Sequence, residues 1–98
     1  MTQLDRLRLL KEDILRIVRK HNADKVYVFG SCARGEDTPE SDVDLVADFR
    51  AHSSLFHVVN LELDLSDLLG RSVDVVTLDR LDTNDAFAQS VKRDMVLL

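Results

Sequence analysis

Ninety-eight residues, 45% of them apolar and 32% charged, fit one soluble domain over 1–98 with a single core, and no run nears the roughly 20 apolar residues that cross a bilayer. A charged N-terminus (MTQLDRLRLLKED) argues against a signal peptide or anchor, and the lone Cys32 excludes an internal disulfide, so a cytoplasmic location is expected. Thirteen basic against eighteen acidic residues (net charge −5) and five scattered aromatics form neither a basic stripe nor a stacking platform; this argues against nucleic acid as the main partner, but not against polyphosphate neutralised by metal ions.

Along the chain, Leu4, Leu7, Leu10, Ile14, Ile17 and Val18 recur at helical spacing among charges. They predict one amphipathic helix from Leu4 to about Lys20, with Asn22 as its stop. KVYVFG (25–30) is β-branched and aromatic and reads as a strand ending in Gly30. EDTPES (36–41) holds the only proline and reads as a loop, and DVDLVAD (42–48) as a second strand. A helix over 53–69 follows, with a serine start signal and Gly70 just past its end. SVDVVTL (72–78) is a third strand, a helix runs from about Asp82 to Arg93, and MVLL closes the chain as a short strand. A helix of that length between the second and third strands can cross over a sheet. The expected fold class is therefore α/β (α+β): a small mixed sheet with helices packed on it. The 53–69 helix carries more apolar residues than one buried stripe needs, among them Leu55, Phe56, Val59 and Leu63, which points to an interface.

In the second strand Asp42 and Asp44 flank Val43 and point to one face, about 6.5–7 Å apart along the strand. Asp74, between Val73 and Val75, repeats the design in the third. A single strand aspartate is most simply a solvated outward position. Three are harder to dismiss, because aspartate forms strands poorly and like charges facing one another repel. A hard dication resolves the conflict, and magnesium takes carboxylate, water and phosphate oxygens. Gly30 and Ser31 follow the first strand directly, where a tight turn can offer N–H groups and a hydroxyl to phosphate.

The segment GSCARGEDTPESDVDLVAD (30–48) resembles the Gly-Ser, spacer, Asp-x-Asp signature of the polymerase-beta-like nucleotidyltransferase superfamily. Ala33, Arg34, Gly35 and Ser41-Asp42 make it similar to the minimal nucleotidyltransferases, antitoxin partners of HEPN-domain toxins. LLGRSVDVVTLDRL (68–81) resembles that family's third-carboxylate segment, with Asp74 in place. The resemblance implies transfer of AMP from ATP to a hydroxyl of a HEPN-type partner, with tyrosine the expected acceptor. It assigns Gly30 and Ser31 to the phosphates, with Arg34 as a phosphate contact or a helix cap. Asp42, Asp44 and Asp74 would bind two magnesium ions, Asp74 also helping to deprotonate the acceptor. Two alternatives stand beside it: an antitoxin that acts by occlusion without catalysis, and transfer to a small molecule.

Other polar residues read as structural. His21, His52 and His57 are scattered and read as packing or surface residues, Asp48 as a solvated strand end, and Asp64 with Asp67 as a solvated acidic edge. Cys32 carries no assigned chemistry.

Overall fold

The computed structural model describes residues 1–51 and 54–98; His52 and the expected helix start at Ser53 lie outside the described residues. Its strands are β1 (Ala23–Phe29), β2 (Val43–Phe49), β3 (Val73–Thr77) and the two-residue β4 (Val96–Leu97). They form one sheet in the order β3-β2-β1-β4. β1 runs antiparallel to β2 and β4, whereas β2 and β3 are parallel. A parallel pair needs a crossover, and α4 (Leu55–Leu69), which packs on β3, supplies it. The mixed sheet with packed helices is thus the one expected.

Strand alternation divides the apolar residues between the two faces of the sheet. Val43, Leu45 and Ala47 of β2 join Val26, Val28 and Val75 under the helices of one face, in a core with Leu7, Ile14, Val18, Leu61 and Leu65. The residues between them face the other way, where Val46 and Phe29 meet Leu81, Ala88 and Val91 in a smaller cluster. Those last three lie on a 3-10 turn (Leu78–Thr83) and on α5 (Ala86–Asp94). α4 is capped by Ser54, whose hydroxyl accepts from the His57 N–H at 3.4 Å, and it stops at Gly70 in the left-handed region (φ 68°). Among the described residues, no helix is long and apolar enough to cross a membrane.

Several boundaries differ from expectation. The helix expected from Leu4 to Lys20 is two, α1 (Gln3–Leu9) and α2 (Lys11–Lys20), broken where Leu10 takes φ −95° and ψ 10°. Apolar spacing does not register this bend, because Leu7 and Ile14 on either side face the same core. Before the bend, Arg6 Nη2 donates to the Leu69 carbonyl at the end of α4, 2.9 Å away. The last helix starts at Ala86 rather than Asp82: Asp85 is the aspartate that caps it, accepting from the Ala88 N–H at 2.9 Å. Asn84, at φ 52°, separates it from the 3-10 turn. Finally, β2 starts at Val43, so Asp42 stands just before the strand rather than on it.

Candidate active site

Gly30 is not the last residue of β1 but the first of a short helix, α3 (Gly30–Arg34), with φ 71°. Left-handed backbone costs a residue with a Cβ roughly 1–2 kcal/mol. A Cβ at this position would also stand 2.6 Å from Asp44 Oδ2. Backbone conformation and carboxylate both require glycine here, and the start of α3 lies directly against the first strand's neighbouring acid. Ser31, half-buried, is the next residue of that helix.

The register of β2 on β3 pairs Asp44 with Asp74. Both point to the face of the smaller cluster, Asp44 half-buried and Asp74 exposed. Asp42, also exposed, leads into the strand two residues earlier. The Asp44 carboxyl lies above its ordinary range, because burial, then the charge of Asp74, then that of Asp42 disfavour its ionisation. Arg34 pulls the other way. Asp44 and Asp74 are thus neighbours in register, and Asp42 precedes Asp44 by two residues.

Arg34 caps no helix; Gly35 ends α3 instead. Its guanidinium donates from Nη1 to Asp94 Oδ2 at 2.5 Å and from Nε to Glu36 Oε2 at 3.2 Å. Arg71, which the sequence reading left unassigned, holds the loop that leads to Asp42. Its Nη1 donates to the carbonyls of Thr38 (3.1 Å) and Ser41 (3.3 Å) and lies 3.7 Å from the Asp37 carboxylate. These partners are some thirty residues away in sequence, so no local signal marks them. Cys32 is buried, and burial and the Asp37 charge push its thiol up to about 11, consistent with its having no chemical role.

Whether these residues fit a metal is decided by the donor set. Among the described residues, no three Asp, Glu, His or Cys side chains form a ready-made cage. The acids are hard oxygen donors that crowd one another enough to disfavour ionisation of Asp44. Magnesium commonly takes one or two carboxylates and completes its shell with water and substrate phosphate. The set fits a cation that arrives with a phosphate ligand.

The remaining candidates lie elsewhere. Asp48 lines a cavity of about 380 Å³ with Phe49, Arg50, Thr77, Leu78 and Asp79. That is the far end of β2, four residues or about 13 Å beyond Asp44. His21 Nε2 lies 2.6 Å from Asp64 Oδ2, with Lys20 Nζ at 3.7 Å, so the acidic edge of α4 is partly paired rather than wholly solvated. His57 Nδ1 accepts from the Ser54 N–H at 3.3 Å, a structural cap. Glu62 accepts from the Val75 N–H at 2.8 Å along the free edge of β3.

Comparison with known proteins follows from this geometry. The family model described as polymerase beta, nucleotidyltransferase matches residues 12–98. The protein adenylyltransferase MntA of Thermococcus cleftensis is 35% identical over 96 residues, covering 90% of this chain and 95% of the relative. A solved structure described as a minimal nucleotidyltransferase superposes with a TM-score of 0.78 at 35% identity, covering 100% of this chain and 97% of the other. The MNT antitoxin complex with a tri-AMPylated HEPN toxin of Shewanella oneidensis shares the fold at 21% identity, with a TM-score of 0.68 over 92% of this chain and 69% of that one.

Proposed function

The chain belongs to the polymerase beta nucleotidyltransferase family, in its minimal branch, and is a nucleotidyltransferase; from that premise we propose that its single domain moves AMP from ATP onto a hydroxyl of a HEPN-type toxin and so serves as the antitoxin. The Asp44–Asp74 register, closed on one side by Gly30, is the observation that carries this reading. The relatives described as a protein adenylyltransferase and as an antitoxin bound to an AMPylated HEPN toxin support the reaction and the partner class.

In this reading the start of α3 holds the β and γ phosphates through the Gly30 and Ser31 N–H groups and the Ser31 hydroxyl. Arg34 adds a guanidinium. Asp42, Asp44 and Asp74 would hold the two magnesium ions. Bound there, magnesium supplies charge neutralisation for the triphosphate and the departing pyrophosphate. The acceptor oxygen attacks the α-phosphorus in line. Its bond to phosphorus forms as the bond to pyrophosphate breaks, and pyrophosphate leaves with that electron pair. Asp74 takes the proton in this reading; its exposed side chain can meet a hydroxyl carried on a macromolecule. We assign the acceptor as tyrosine, whose phenol (pKa about 10) gives up a proton far more readily than an alkyl alcohol. Positioning and charge neutralisation are the larger part of such a displacement.

One observation favours occlusion acting beside catalysis. Leu55, Phe56, Val59 and Leu63 form an outward apolar stripe on α4, with Phe56 80% exposed. α4 packs on the sheet face opposite the acids. A HEPN-type partner seated there would be held by contacts separate from the chemistry. The reading is tested by intact mass. After incubation with ATP and magnesium, a competent HEPN-type partner should gain one AMP or a multiple of it. No gain would overturn the transfer.

A further inference from the structure

We propose that Asp94 is a positioning residue for nucleotide binding, acting through Arg34. This rests on the nucleotidyl-transfer reading, and it adds a residue sixty positions away in sequence that no motif contains. Asp94 is the last residue of α5. A carboxylate there is misplaced by local rules, because the C-terminal end of a helix already carries partial negative charge. Lys92 and Arg93, just before it, follow the rule that Asp94 breaks. Local violations of this kind are expected where a side chain is kept for its distant contact.

The distant contact is the ion pair to Arg34. Asp94 Oδ2 accepts from Nη1 at 2.5 Å, and the Asp94 side chain is only 17% exposed against 43% for Arg34. Glu36 accepts from Nε on the other side but is two residues away on an exposed turn, with 66% of its side chain in solvent. Asp94 is therefore the fixed anchor and Glu36 the loose one. Guanidinium is planar and carries five N–H donors in a rigid fork. With Nη1 and Nε each engaged once, the two Nη2 hydrogens and one on Nη1 have no carboxylate partner. Arg34 is also the last residue of the short helix whose first residue, Gly30, stands against Asp44. Held this way, the guanidinium is a preorganised donor at the edge of the acid trio, and binding a triphosphate does not have to order a free arginine.

Asp94 is itself fixed to the sheet. Met95 N–H donates to the Val91 carbonyl at 2.8 Å, β4 pairs with β1 through Val96 and Leu97, and Leu98 N–H donates to the Val26 carbonyl at 3.0 Å. The end of the chain thus braces the same strand, β1, from which α3 departs.

Titration calorimetry with magnesium and a non-hydrolysable ATP analogue tests this on wild type, Asp94→Asn, Arg34→Ala, Glu36→Gln and the Arg34→Ala/Asp94→Asn double variant. Asp94→Asn should weaken binding about tenfold, the share of a charge-assisted hydrogen bond. Glu36→Gln should weaken it no more than about twofold, as befits an exposed pair. The double variant should bind no worse than Arg34→Ala alone. Under turnover, Asp94→Asn should raise KM for ATP and leave kcat unchanged. Asp94→Glu keeps the charge and should restore affinity to within about threefold of wild type, separating positioning from misfolding. Wild-type affinity in Asp94→Asn, an unaffected Arg34→Ala, or losses that multiply in the double variant would each overturn the role of Asp94. Failure of the wild type to bind would overturn the nucleotidyl-transfer reading itself.

Discussion

The two faces of β2 differ in almost every respect. On one, Val43, Leu45 and Ala47 are fully buried among aliphatic residues of three helices. On the other, Asp44 sits among like charges next to a left-handed glycine, and only Val46 is fully buried. One face follows every local rule of strand formation; the other breaks several within a few residues. A seven-residue strand can carry both because alternation sends neighbours to opposite sides of the sheet. Stability is concentrated on the first face and chemistry on the second.

The sharpest way to break this division is to change one residue on each side. Asp44→Asn should lower AMP transfer about a thousandfold, roughly 4 kcal/mol of transition-state stabilisation, while circular dichroism stays that of wild type. Its immediate neighbour Leu45→Ala should do the reverse, costing about 2–5 kcal/mol in urea denaturation with nucleotide affinity of the folded molecules retained. Should Leu45→Ala abolish nucleotide affinity in folded protein, the faces are not separable. A third probe uses the outward stripe of α4. Phe56→Ser should weaken the complex with a HEPN-type partner by tenfold or more, yet change stability by no more than about 0.5 kcal/mol. Unchanged affinity in a pull-down or calorimetric titration would remove the stripe as a docking surface.

The smallest expected effect sharpens the comparison most. Because the folded Asp44 carboxyl lies above its unfolded value near 3.8, the unfolded chain ionises first as pH rises. Stability therefore falls between that value and the higher folded one, and the full penalty is present at neutral pH. In magnesium-free buffer Asp44→Asn should melt above wild type at pH 7 and lose that advantage below pH 3.8. The same substitution that disables the chemistry should stabilise the apo protein. Equal melting temperatures at pH 7 would show that Asp44 is not crowded by its neighbours.

Much of this was legible from residue pattern. Asp-x-Asp before one apolar run and a matching Asp74 in another marked the strands that carry acids, and the parallel β2–β3 pairing brings Asp44 opposite Asp74, with Asp42 just before the strand. The surplus of apolar residues on α4 foretold its exposed stripe. What escaped were features set by tertiary contact. The bend at Leu10 preserves the apolar spacing on both sides of it, so periodicity passes straight through. The last helix, expected from about Asp82, starts only at Ala86, because a 3-10 turn first carries Leu81 into the cluster that Ala88 joins. Arg71 and Asp94 act across thirty and sixty residues, where local chemistry carries no signal.

Calorimetry on the wild-type protein, titrating a non-hydrolysable ATP analogue with and without magnesium, tests the central claim most directly. The acids form no ready cage, so metal and triphosphate should bind together and neither should bind appreciably alone. Uptake of the nucleotide to the same extent in the presence of excess chelator would contradict a site built from Asp42, Asp44 and Asp74.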